Sequence, residues 1–156
     1  MDEQKVIVVG VDGSEAAQHA LDWALDEALI RGCAVRAVRV WSFEPMSDWL
    51  PTTLQEVRTH AVEALAESVR TAVANRSETP PVEQVTAEGD AAVELVRAAH
   101  DAALLVVAGH RGERLRRVVL GSVSAACVRR SHVPVVVLPP KIDWTAVTEH
   151  AEEARA

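Results

Sequence analysis

Apolar and polar positions alternate along this chain in two recurring rhythms. Short, nearly continuous apolar runs are separated by longer stretches in which apolar residues return every three or four positions. The first run, "KVIVVGV" over 5–11, is β-branched with little polar interruption, which predicts a strand buried on both faces. Asp12-Gly13-Ser14 follows as turn and helix-cap chemistry. Ala17, Ala20, Leu21, Ala24, Leu25, Ala28 and Leu29 then recur at helical spacing, until Arg31-Gly32 ends the helix. "CAVRAVRVW" over 33–41 predicts a second strand, and 54–75 a long amphipathic helix closed by polar residues and Pro80-Pro81. A third strand is predicted over 82–88, a helix over 91–100 capped by Asp90, and a strongly apolar fourth strand over 103–109. A last helix over 122–131 and a proline-bounded strand over 133–140 complete the series.

Strands and helices alternate throughout. The expected fold class is therefore α/β: an open, Rossmann-like parallel sheet of five strands with helices on both faces and right-handed crossovers. No internal repeat is visible. Residues 1–140 read as one domain, followed by an acidic, Ala-rich tail over 141–156.

Composition sharpens the picture at three points. The chain has 156 residues, 49% of them hydrophobic, yet only Phe43 and four Trp are aromatic, so the core must be built from Ala, Val and Leu. The net charge of −7 argues against nucleic acid as a partner of the whole surface. Cys33 and Cys127 stand in no metal-ligand spacing and read as partly buried, reduced thiols. The start of the chain lacks signal-peptide character, and no apolar run reaches the length of a membrane span, so a cytoplasmic protein is expected, without a membrane partner.

The candidate chemistry lies at two strand ends. In open α/β sheets, ligands bind beyond the carboxyl ends of the strands where the strand order reverses. Strand one ends in Val11-Asp12-Gly13-Ser14, and strand four in Ala108-Gly109-His110-Arg111-Gly112. Glycines at 109 and 112 allow close backbone approach to a ligand. Gly121-Ser122 opens a helix whose free N–H groups attract phosphate, and Ser124 adds a hydroxyl. Arg111, Arg114, Arg116 and Arg117 make the segment between them locally basic, and of these only Arg111 is counted as a candidate phosphate contact. Asp12 has two readings, a ribose or metal contact and a turn-former before the helix. His110 reads as a surface histidine without a carboxylate partner in sequence. Trp41, Phe43 and Trp49 have two readings, closing the sheet edge, which is preferred, and a flap over the crevice; Cys127 reads as packing on the helix face of Val123. No catalytic residue is assigned, and the metal question stays open.

Three stretches carry a family resemblance: "VVGVDGSEAAQHALDWA", "GDAAVELVRAAHDAALLVVAGHRG" and "LGSVSAACVRRSHVPVVVLPP". Over about residues 3–138 the chain resembles the universal stress protein family, in its ATP-binding branch. That branch has a signature of Gly, two residues, Gly, nine residues, then Gly with Ser or Thr. Gly109, Gly112, Gly121 and Ser122 match it in kind, but eight residues, "ERLRRVVL", separate Gly112 from Gly121. The resemblance implies a sheet order of 3-2-1-4-5. It implies an adenosine pocket lined by Val11 and Ala108, ribose at Asp12, adenine at Val40, and phosphates at Gly109, Gly112, Gly121, Ser122, Val123 and Ser124. It further implies ATP or a related adenine nucleotide as ligand, with or without Mg2+, and a homodimer formed through the strand over 134–138. The expected function is stress-response regulation through nucleotide binding, with a protein partner that the sequence does not name. The alternatives are a nucleotide-free, dimeric protein-interaction module and, ranked last, a slow ATPase.

Overall fold

The computed structural model describes residues 4–44, 53–111 and 118–140, with the backbone alone for Arg111, Val118 and Val119. Five parallel strands make the sheet: β1 (Val6–Gly10), β2 (Ala34–Trp41), β3 (Val82–Glu88), β4 (Leu104–Ala108) and, last in the chain, β7 (Val135–Leu138). Their order across the sheet is β3-β2-β1-β4-β7, which is 3-2-1-4-5 when these five are counted along the chain. β1 therefore lies between β2 and β4, with Val9 opposite Ala37 on one side and Val106 on the other. The reversal of strand order falls between β1 and β4. The expected fold class holds.

Side-chain alternation divides the core into two layers. Ile7, Val9, Val11, Val35, Ala37, Leu104 and Val106 face α1 (Glu15–Arg31) and α2 (Leu54–Val73), where Leu21, Leu25 and Leu65 meet them. Val8, Val38, Leu105 and Val107 face α3 (Ala91–Ala98) and α4 (Ser122–Arg130), where Leu95 and Cys127 meet them. Small side chains let the helices lie close to the sheet. At Gly10 this is extreme, because a Cβ there would stand 3.1 Å from Leu95 Cδ1.

Three helix starts are capped by their own side chains. Ser14 accepts from the Ala17 N–H, Asp90 from the Val93 N–H, and Thr53 forms a reciprocal capping box with Glu56. α1 ends on Gly32 in the left-handed region, as its sequence implied. Arg76 then ties the end of α2 to α1, donating to the carbonyls of Ala72 and Asp22 and to the Asp26 carboxylate.

One strand pair was not anticipated. The sequence assigns no regular element between β4 and α4, but β5 (His110–Arg111) and β6 (Val118–Val119) pair antiparallel, with His110 opposite Val119. Two-residue strands carry too little periodicity to be seen in a sequence. Gly112, Arg114, Arg116, Arg117, Trp49 and the tail over 141–156 lie outside the described residues. Among the described residues, no helix is long and apolar enough to cross a membrane.

Candidate functional site

The crevice is built from two strand ends and two helix starts. β1 leaves the sheet at Val11, whose N–H still donates to the Val38 carbonyl at 2.8 Å. Asp12 is exposed, and its Oδ1 accepts from the Ser14 N–H at 2.8 Å. The turn-forming reading of Asp12 thus has a geometric basis, and its second carboxylate oxygen carries no bond among the described residues. Gly13 has φ +87°, so a side chain there is strained. On the other side, β4 gives way to Gly109, which is buried and donates its N–H to the Leu138 carbonyl at 2.7 Å. That N–H is used within the sheet, so a ligand at Gly109 would meet its Cα face.

α4 starts differently from the other helices. Its N-cap residue is Gly121, with no side-chain cap bond. The first intrahelical bond at this end runs from the Ala125 N–H to the Gly121 carbonyl. The N–H groups of Ser122, Val123 and Ser124 therefore point out of the helix with no acceptor among the described residues. Their partial positive charge, aligned with the helix dipole, is suited to an anion. Basic side chains in the last turn, Arg129 and Arg130, sit at the opposite pole.

The remaining expected site residues separate by what their side chains do. Ser122 is exposed and Val123 is 37% exposed, both at the open helix end. Val123 therefore does not share the burial of Cys127, which is wholly enclosed. Ser124 is buried, and its hydroxyl donates to the Gly121 carbonyl at 3.2 Å. The Val11 side chain, 3% exposed, belongs to the core, so only its main chain can line a pocket. Ala108 packs against the same layer, while Val40 packs against the layer under α3 and α4. Trp41 and Phe43 are half-buried, and Trp41 closes the end of the β2–β3 ladder opposite Glu88.

Two residues gain a place that sequence reasoning did not assign. Arg39 reaches under the β1–α1 turn, where a Cβ on Gly13 would stand 3.1 Å from its Nη1. That Nη1 is buried and has no hydrogen-bond partner among the described residues. Arg39 interrupts the apolar run of β2, which was the available signal. His110 lies over Gly121: a Cβ there would stand 2.6 Å from its Nε2 and closer still to Cδ2. Gly121 has an ordinary φ of −66°. A Cβ at 121 would thus be met by the tip of an exposed imidazole, with no backbone strain. A concavity of about 280 Å³ lined by Trp41, Leu54, Gln55, Arg58, Thr86 and Glu88 lies at the carboxyl ends of β2 and β3.

The electrostatics offer an anion seat and little else. Burial, and secondarily the Asp90 carboxylate, pushes the Cys127 thiol up, so it stays protonated and unreactive. Among the described residues no group of three or more His, Cys, Asp or Glu stands together to hold a metal ion.

Comparison with known proteins agrees with this fold. A profile of the universal stress protein family matches residues 4–139. The chain is 32% identical over 142 residues to the universal stress protein Rv2624c of Mycobacterium tuberculosis, covering 91% of this chain and 51% of that protein. It thus spans about half the length of the curated relatives it matches. Among solved structures, a universal stress protein in complex with cAMP superposes with a TM-score of 0.61 at 22% identity, covering 90% of this chain and all of the other. The universal stress protein of Archaeoglobus fulgidus in complex with dAMP superposes with a TM-score of 0.59 at 18% identity, covering 88% of this chain and 98% of the other.

Proposed function

The chain belongs to the universal stress protein family, and from that premise we propose that it binds ATP or a related adenine nucleotide in the β1–β4 crevice and regulates a stress response through that binding rather than through fast catalysis. The observation that carries this reading is the uncapped start of α4. Three capped helices show that this sequence supplies cap side chains readily, yet α4 starts on glycine beside the strand-order reversal. The N–H groups of Ser122, Val123 and Ser124 would take the phosphates, with Gly109, Gly112 and Gly121 allowing approach and Arg111 adding charge. Asp12 would meet the ribose through its unbonded oxygen, and Val40 the adenine. The complexes of the two structural neighbours with cAMP and dAMP support adenine as the base. Mg2+ would accompany a di- or triphosphate.

In this reading the protein is a cytoplasmic homodimer paired through β7, with residues 1–140 as the nucleotide-binding domain and 141–156 as a tail. An apolar edge strand gains from being covered, and Val135, Val136 and Val137 on β7 are only half-buried. The test is calorimetric titration with ATP and Mg2+; no heat at millimolar ATP would sink the proposal.

One observation favours a second reading, a nucleotide-free interaction module. The Gly112–Gly121 spacer is a residue short of the family signature. A bound nucleotide at about 100 times its Kd stabilises by roughly 2.7 kcal/mol. An ATP-induced rise in melting temperature that Gly121→Ala abolishes excludes the module.

A further inference from the structure

We propose that His110 and the phosphate of a bound nucleotide compete for one seat, the empty cap position of α4, so that His110 sets how strongly the site prefers phosphorylated ligands. The inference rests on the nucleotide reading above and adds to it a residue that determines specificity.

An N-cap side chain leaves its Cα along the Cβ direction and places an oxygen over the N–H groups of the first turn, as Ser14 and Asp90 do here. Gly121 has no such side chain, but its Cβ direction is not open space. The imidazole of His110 fills it, with Nε2 at 2.6 Å from the Cβ position. This is the range at which the oxygen of a capping Asp or Asn stands from its own Cβ. The ring reaches the seat because β5 pairs with β6 and holds His110 opposite Val119, two residues before Gly121. It occupies the seat without satisfying it. Among the described residues no hydrogen bond joins His110 to α4, and the Ser124 hydroxyl turns back to the Gly121 carbonyl.

A phosphate that reaches the N–H groups of Ser122, Val123 and Ser124 must therefore enter the volume of the ring. His110 is exposed, so the ring can rotate out toward water at little cost. The phosphate gains charge-assisted hydrogen bonds and loses only the ring's packing on Gly121. An unphosphorylated nucleoside makes no use of the seat and leaves the ring in place. The imidazole thus acts against phosphate binding alone.

The experiment is calorimetric titration of adenosine, ATP and inorganic pyrophosphate into the wild type, His110→Ala and Gly121→Ala. A parallel proton NMR titration of the wild type follows the imidazole signals, assigned by their loss in His110→Ala. His110→Ala is expected to bind ATP and pyrophosphate roughly three- to tenfold tighter, with adenosine unchanged. Gly121→Ala refills the seat with a methyl group and is expected to weaken ATP. ATP is expected to shift the imidazole signals and adenosine to leave them. If wild-type protein binds ATP but His110→Ala binds it equally or more weakly, the inference falls and the nucleotide reading stands. Imidazole signals unmoved at saturating ATP have the same consequence, even if His110→Ala fails to fold. If the wild type binds neither adenosine nor ATP, both fall together.

Discussion

Gly10→Ala isolates the contact that brings α3 down onto β1 beside the crevice. The added Cβ would stand 3.1 Å from Leu95 Cδ1 and 3.3 Å from Cδ2. Both branches are too close, so turning the leucine relieves one contact at the expense of the other. Leu95 is 5% exposed and enclosed with Val8, Val38, Leu105 and Cys127, which leaves it little room to retreat. Overpacking of this kind costs about 1–3 kcal/mol. Against it, alanine restricts the unfolded chain and recovers about 0.4–1 kcal/mol, since Gly10 has no positive φ to forbid it. The net expectation is a loss of about 1–2 kcal/mol, read as a melting temperature lower by roughly 2–8 °C for a chain of this size. The decisive control is Leu95→Ala, in whose background the obstructing methyls are gone. There, Gly10→Ala should turn neutral or stabilising. Chemical and thermal denaturation of the four proteins would measure the cycle. An equal cost in both backgrounds would refute the close-packing argument.

Ser14→Ala removes the cap of α1 and is expected to cost about 0.5–2 kcal/mol, seen as a lower urea midpoint with unchanged m-value; an unchanged midpoint contradicts it. Arg76→Met unties α2 from α1, leaving the carbonyls of Ala72 and Asp22 without their guanidinium donor. The expected loss is roughly 1–2 kcal/mol, with the exposed Asp26 pair contributing least. Urea unfolding at high salt should keep most of that loss, whereas a purely ionic link would vanish. Cys127 sets an alkaline slope: its thiol ionises later when folded than when unfolded. The folded state holds the proton longer, so stability falls as pH rises through and above the ordinary thiol range. Cys127→Ala should flatten this decline between about pH 8 and 10, and parallel curves for the two proteins would exclude the effect.

Much of the fold was legible because its signals are local. β1 and β4 are apolar runs too short for helices, and Ser14, Asp90 and Gly32 carry cap chemistry within four residues of their targets. Element ends drifted by one or two residues where apolar side chains continue past the last ladder bond, as at Val133 and Val11. The five strands, four helices and their alternation follow from periodicity, and alternation implies parallel pairing because crossovers are right-handed.

What tertiary structure decided is how side chains far apart in sequence share space. The periodic pattern names Gly121 as a glycine but not what lies against it. That neighbour is an imidazole eleven positions earlier, carried there by a two-residue strand pair. Ser124 looks like a donor in sequence and spends its hydroxyl on a carbonyl in the fold. Val11 is expected at a pocket wall, and its side chain lies in the core, which leaves its main chain to face a ligand. Arg39 looks like a polar interruption of a strand and lies beneath the turn at Gly13, with a buried N–H that has no partner among the described residues. Local chemistry sets which elements form. The direction each side chain takes at the site depends on neighbours that only the assembled sheet brings within reach.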